Sequence, residues 1–296
     1  MIRLSATYKV IEKKSLRCPV DQWLLLIYLR FTMRIRILII MLLLSIMAYS
    51  QVVDSSKYTV WYSVGYKQKT EVDPGYKDKE VLEIGNNYSF YYSYQRKLLN
   101  NYVDSMKRLY PSPETRLLHY DDKTPWMGNS YMILKSQHND SLVYMEKINQ
   151  GQWFRYTENF PVDGWKLVDG DTTILSLPCN KATLDLHGRH WTVWYTTEIP
   201  ISDGPWKFKG LPGLIMKASE SEGIFSFTCI GIIESHKPIV VEKHKFVNTT
   251  PKKFENELKD YWSNQMEYIM RVNNIPLSPG LWKNEKSYTP CLMEFY

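Results

Sequence analysis

Apolar and polar side chains alternate from Tyr58 to Lys67: Tyr58, Val60, Tyr62, Val64 and Tyr66 face one way, and Thr59, Ser63 and Lys67 the other. A period of two is that of a half-buried strand. Asp73-Pro74-Gly75 then reads as a turn or loop. Val81–Ile84 and Tyr88–Tyr92 flank Gly85-Asn86-Asn87, which suits a short hairpin connection. After Tyr94 the period lengthens. Leu98, Leu99, Tyr102, Val103, Met106, Leu109 and Tyr110 recur at helical spacing, predicting about four turns of amphipathic helix that stop before Pro111 and Pro113. Residues 114–129 are polar and broken, as in a loop.

Strand-like runs then follow at short intervals: Tyr131–Lys135, Leu142–Ile148, Trp153–Asn159, Trp165–Val168, Thr172–Leu175, Asn180–Leu186, Trp191–Thr197, Leu214–Lys217, Phe225–Ile233 and Ile239–Val247. Gly188, between Leu186 and His190, marks a tight hairpin. Thr249-Thr250-Pro251 supplies the cap and early proline of a second helix, carried by Phe254, Leu258, Tyr261, Trp262, Met266, Ile269 and Met270 and ending near Asn273-Asn274. The expected fold class is mainly β: a single curved antiparallel sheet, as a half-barrel or open barrel, with two amphipathic helices. No repeat or Gly/Ser-rich linker interrupts 51–296, so one domain is expected there.

Ahead of that domain, Ile37–Ala48 is apolar apart from one serine. Its length is short of the roughly 20 residues of a membrane span and fits a signal-peptide core. Arg34 and Arg36 precede it, and Ala48 and Ser50 sit at −3 and −1 for cleavage before Gln51. The signal is complete from Met33, so residues 1–32 read as an upstream extension; the alternative is an uncleaved anchor with a cytoplasmic tail. A periplasmic or secreted mature chain without a stable membrane span is expected.

Composition changes this picture in two ways. The net charge of +6 suggests a polyanion partner, but eight of the 37 basic and two of the 31 acidic residues lie in 1–50, leaving 29 of each in 51–296. A formally neutral domain has no basic field for nucleic acid. Export permits disulfides, yet Cys179, Cys229 and Cys291 are an odd set after cleavage removes Cys18. Cys179 and Cys229 either form one bridge or stay as buried thiols, and their spacing matches no zinc site.

The densest pattern runs from Trp165 to Phe227. It contains Cys179-Asn180-Lys181-Ala182, Gly188-Arg189, Trp194-Tyr195-Thr196, Glu198-Ile199-Pro200-Ile201, Gly204-Pro205-Trp206-Lys207-Phe208 and the hexapeptide Gly210-Leu211-Pro212-Gly213-Leu214-Ile215. With Ile84-Gly85 and Ser89-Phe90-Tyr91 upstream, and Tyr288-Thr289-Pro290 and Glu294 downstream, it resembles the GLPGLI family of Bacteroidota. That resemblance implies an exported protein, commonly encoded near TonB-dependent outer-membrane transporters, whose activity is not established. The ending Thr-Pro-Cys-Leu-Met-Glu-Phe departs from the family's usual Asn-Pro-Ile-Glu-Leu.

Candidate chemistry is sparse. Pro212-Gly213 suits the centre of a type II turn, with Gly213 at positive φ. Trp206, Phe208 and Leu211 on the loop between Asp203 and Gly213 either plug one end of the core or, with Trp191 and Trp194, form an aromatic lip for a ligand or partner. No phosphate loop, nucleophile elbow or H-E-x-x-H pattern is present, and no cofactor or metal is implied. Two functions follow. One is a non-enzymatic binding or accessory protein of the envelope that holds an apolar ligand or assists an outer-membrane transporter. The other is a periplasmic hydrolase or metal-dependent enzyme using Glu198, Asp185, His187 and His190.

Overall fold

The computed structural model describes residues 30–36, 52–67, 75–112, 115–116, 119, 124–125, 127–149, 151–274 and 291–296. The chain divides into Met1–Gln51 and Val52–Tyr296. Within the first unit 30–36 is helical, and the expected signal core and cleavage point lie outside the described residues. So do Asp73-Pro74 and Tyr288-Thr289-Pro290.

The second unit is mainly β. Its strands are β1 (Val52–Ser55), β2 (Tyr58–Tyr66), β3 (Tyr76–Ile84), β4 (Tyr88–Ser93), β5 (Met132–Ser136), β6 (Ser141–Lys147) and β7 (Trp153–Asn159). They continue as β8 (Lys166–Ile174), β9 (Leu177–Leu186), β10 (Arg189–Thr196), β11 (Leu214–Glu220), β12 (Ser226–Glu234), β13 (Pro238–Val240) and β14 (Phe246–Asn248). Twelve of them form one sheet in the order β14-β7-β6-β5-β4-β3-β2-β12-β11-β10-β9-β8, and β1 pairs with β13 separately. Pairing is antiparallel except between β14 and β7. The end strands do not pair with each other, so the sheet is open.

Local chemistry explains the connections. The β9–β10 hairpin turns on His187 and Gly188, both at positive φ (47° and 76°), which matches the right-handed twist of the flanking strands. The runs 165–168 and 172–175, read as two strands, are one strand, β8, with a register shift between Val168 and Asp171. The run 239–247, read as one strand, is two short ones.

Helix α1 (Tyr94–Leu109) starts where the serine at position 93 accepts a hydrogen bond from the backbone N–H of Arg96, and of its residues only Met106 is fully buried. The expected second helix is two: α2 (Pro251–Ser263), capped by Thr250 with Pro251 in its first turn, and α3 (Gln265–Val272). Asn264 breaks them apart. Its side chain accepts from the N–H of Glu267 and donates back to the Glu267 carboxylate, so the cap competes successfully with a continuous helix.

Alternation along the strands sorts two clusters onto opposite faces of the sheet. The main core includes Val60, Tyr62, Val64, Leu82, Ile84, Tyr91, Ile133 and Tyr144 with the aromatic group Trp191, Trp206, Phe208 and Phe227. On the other face, Val81, Phe90, Tyr92, Met132, Met145 and Ile239 form a smaller cluster. Trp206 has its ring 5.5 Å from Trp191 and 5.0 Å from Phe208, centroid to centroid. The loop carrying it therefore fills the core, as the first of the two readings of Trp206, Phe208 and Leu211 supposes.

The Gly-Leu-Pro-Gly turn differs from expectation. Positive φ falls at Trp206 (51°) and Gly210 (99°), not at Gly213. Gly213 is needed for a different reason: a Cβ there would lie 2.0 Å from the Thr196 carbonyl oxygen. Close backbone approach, not turn type, dictates glycine at that position.

Replacing Trp206 by alanine removes a fully buried ring from this stack. The expected cost is about 3–5 kcal/mol of unfolding free energy. Denaturant titration of the two proteins checks it, and a wild-type stability would place Trp206 outside the core.

Candidate functional site

The polar chemistry of the main core lies in a seam along the inner face of the sheet. A row of tyrosines builds it: Tyr91, Tyr131, Tyr144 and Tyr156 stack at successive centroid distances of 6.3, 6.0 and 4.9 Å, with interplanar angles of 25° or less. Tyr144 and Tyr156 are directly opposed in the β6–β7 register, so the ladder itself sets the last of these contacts. Phenol hydroxyls at this depth need acceptors, and carboxylates supply them.

At one end Glu80, opposite Tyr62 in the β2–β3 register, is completely buried. It accepts hydrogen bonds from Tyr131 Oη (3.0 and 2.9 Å) and Asn129 Nδ2 (2.7 Å). Burial, reinforced by the neighbouring Asp78 charge, pushes its pKa up to about 7. Asp78 itself is raised by desolvation, against hydrogen bonds from the Asn129 and Lys79 N–H groups. Half-buried Glu146 accepts from Tyr144 Oη (2.6 Å) and Ser130 Oγ (3.0 Å) and is likewise raised by desolvation.

At the other end stands Lys207, from the aromatic loop, with its side chain 1% exposed. Its ammonium donates to Glu294 (2.5 and 2.6 Å), Tyr156 Oη (3.1 Å) and Tyr296 Oη (3.0 Å), and pairs with Glu158. The rings of Tyr144, Tyr156, Trp206 and Tyr296 surround it at 5.0–5.6 Å. Glu294 is raised by desolvation, an effect that Lys207 opposes. His187 lies 3.6 Å from Glu294 and is lowered by burial and by the Lys207 charge.

Glu158, His187 and Glu294 bring their donor atoms within 4.8 Å of one another, close enough to share a cation. Lys207 already supplies that cation, bonded to both carboxylates. The arrangement clamps the segment Cys291–Tyr296 onto the aromatic loop. Arg189 assists, donating through Nε and Nη2 to the Leu292 carbonyl (2.9 and 2.6 Å). The side chain of Glu255 on α2 also takes part, accepting from the Tyr296 N–H (3.2 Å).

Two further lysine contacts fix the same loop. Lys135 on β5 and Asp203, each 1% exposed, form a buried ion pair, and Lys135 also donates to the Gly204 carbonyl (2.6 Å). Desolvation lowers the Lys135 pKa, and the Asp203 charge works against that shift. Lys209 Nζ donates to the Ser136 and Asn139 carbonyls.

The four residues of the enzyme reading do not converge. Asp185 and His190 form an exposed pair at 2.6 Å, with Lys166 3.5 Å away. Glu198 is exposed beyond the far end of β10, and only His187 joins the seam. Of the residues of the aromatic lip, Trp191, Trp206, Phe208 and Leu211 are buried in the core, while half-buried Trp194 lies under Lys181 Nζ. Cys179 and Cys229 are buried thiols that are not bridged to each other, the second raised to about 11 mainly by burial. Beside the clamp, a cleft of about 370 Å³ runs between the sheet and α2, walled by Tyr144, Tyr156, Trp206, Phe254, Leu258 and Met293.

Sequence reading missed Lys207, Glu158, Glu294, Glu80 and Lys135. The signal it could have used is a charged residue standing where alternation requires an inward side chain, as Glu80 does between Asp78 and Leu82.

Residues 178–217, from β9 to β11, match the model of a family described as a protein of unknown function (Porph_ging). No curated protein matches. Two crystal forms of PNGF-II are similar, at TM-scores of 0.47 and 0.43 and 11% identity, covering 69% of this chain. The chain spans about a third of the length of those structures, 33% and 32%.

Two predictions test the seam. Because the folded pKa of Glu80 lies near 7 and its ordinary value is 4.5, the folded state keeps this proton while the unfolded state releases it. Stability therefore falls as pH rises from about 4.5 to about 7, by on the order of 3 kcal/mol, and is level above. Glu80→Gln should flatten that part of the unfolding free energy measured between pH 4.5 and 8.5; an unchanged slope refutes the assignment.

Lys207→Met strands two carboxylates without their counterion and should cost about 3–5 kcal/mol at pH 8. The loss should shrink at pH 5, as Glu294 takes up a proton, and Lys207→Met/Glu294→Gln should recover part of it at pH 8. Equal losses at both pH values would show that the ion cluster is not the cause.

Proposed function

We propose that this is an exported, non-enzymatic binding protein of the Bacteroidota envelope, of the GLPGLI type, and that it holds an apolar ligand in the cleft between the sheet and α2. In this reading the open sheet curves into a half-barrel, signal cleavage falls before Gln51, and the loaded protein serves an outer-membrane transporter as an accessory. The observation that carries the reading is the cleft wall itself. Tyr144, Tyr156, Trp206, Phe254, Leu258 and Met293 give it a mostly apolar lining, the usual character of a small-ligand site.

The chemistry next to the cleft supports binding over catalysis. Lys207 is bonded to both Glu158 and Glu294, and Glu255 on the rim is engaged by Lys252 and Lys259 at 2.8 and 2.6 Å. Hydrogen bonds from those lysines hold the Glu255 carboxyl below its ordinary value although burial opposes the shift. Each of these carboxylates is already paired with a lysine.

The neutral apolar fluorophore N-phenyl-1-naphthylamine should bind the full-length protein saturably, and Leu258→Glu should weaken it at least tenfold with the melting temperature preserved. Absence of saturable binding, or equal binding by the variant, overturns the reading. Protein exported through its own leader and purified from the envelope should carry lipid detectable by mass spectrometry.

A further inference from the structure

A second cleft, of about 420 Å³, opens on the opposite face of the sheet. Its floor is apolar: Phe90 and Tyr92 of β4, Met132 of β5, Trp153 of β7 and Val240 of β13. Phe90, Tyr92 and Met132 belong to the smaller cluster and Trp153 packs against it; Val240 is exposed, and Tyr131, which donates to Glu80 in the seam, also lines the cleft.

What distinguishes this cleft is fixed positive charge. Arg96 and Lys97, in the first turn of α1, both line it. Arg96 is held by its Nε and Nη2, which donate to the carbonyls of Asn129 (3.4 Å) and Gly128 (2.8 Å), leaving Nη1 outside these bonds. Lys97 Nζ donates to Tyr92 Oη (3.1 Å) and sits 4.7 Å from the centre of that ring. The hydroxyl of Tyr92 donates in turn to Glu83 (2.9 Å), so the lysine is steered from below.

Two cations thus stand pre-positioned at the edge of an apolar floor, with little further ordering needed on binding. Asp78 and Glu146 act on Arg96 from its buried side, and Lys107 and Arg96 both act on Lys147, whose pKa is lowered by desolvation and then by those like charges. The one acid lining the cleft, Glu242, lies 3.2 Å from His244.

We infer that this cleft binds a soluble monocarboxylate with an apolar body, the carboxylate meeting Arg96 and Lys97 and the body lying on Phe90, Met132 and Trp153. Guanidinium and ammonium groups favour a carboxylate through charge-assisted hydrogen bonds. A neutral ligand of the same shape would leave both cations facing an apolar group and lose that contribution. The inference does not depend on the cleft beside α2, which lies on the other face and has different chemistry.

Isothermal titration of the full-length protein with dodecanoate, at pH 7.4 and below micelle-forming concentration, tests it. One saturable site is expected, with methyl dodecanoate at least tenfold weaker. Lys97→Gln, a surface change, should weaken dodecanoate about tenfold, and Arg96→Gln should do the same wherever its melting curve remains cooperative. Leu258→Glu should leave dodecanoate affinity unchanged. Equal binding of acid and ester, no binding of either, or an effect of Leu258→Glu without one of Lys97→Gln overturns the assignment. The last outcome would move dodecanoate to the α2 cleft.

Discussion

An ammonium group taken out of water must be neutralised where it lies, and the fold of this protein is arranged around that requirement at Lys207. Removing such an ion from solvent costs several kcal/mol even after relaxation, and only well-placed counter-charges and hydrogen bonds return it. Glu158 at the end of β7, Glu294 from the Cys291–Tyr296 segment and four aromatic rings provide them. Apart from the adjacent Trp206, these partners come from β6, β7 and the Cys291–Tyr296 segment, so satisfying one charge ties three segments to the loop. Lys135 with Asp203 does the same for the other end of the loop. The aromatic plug of Trp206 and Phe208 is thus positioned by ions that it also helps to bury.

The interior is richer in acid than in base. Asp78 and Glu80 stand at one end of the tyrosine ladder and Glu146 beside Tyr144 further along it, while Arg96 is the cation acting on both Asp78 and Glu146. Desolvation raises all three carboxyls, and phenol or amide donors hold them in place. A ladder of phenols suits this task, because each ring adds apolar contact to its neighbours and each hydroxyl can serve a carboxylate.

Much of the sheet was legible in the sequence because alternation is a local property. Val60, Tyr62 and Val64 are buried as their spacing predicts, and Thr250-Pro251 caps α2 as read. Asn264 and Glu267 form a readable capping pair that a continuous apolar stripe outweighed. The site was less legible, since a lysine or glutamate is assigned to solvent unless its partner is known, and those partners lie far along the chain: Lys207 and Glu294 are 87 residues apart, Lys135 and Gly204 69. The role of Gly213 was hidden for the same reason, because the carbonyl that excludes a side chain there belongs to Thr196 on another strand.

Function must then be sought where hydrogen-bond donors remain for a ligand. The Asp185–His190 pair is exposed and already mutually bonded, and Lys207 with its carboxylates is closed by its own partners. Arg96 and Lys97 differ because the bonds that hold them use only part of their donor capacity, and both line an apolar cleft. A sheet covered on one face by a core that consumes its own ions, and carrying on the other a small apolar floor with cations at its edge, has its remaining recognition capacity on the second face. The period of two that turns Tyr91 into the main core turns Phe90 and Tyr92 into the smaller cluster on the opposite face. The same strand therefore builds the sealed seam and the open site.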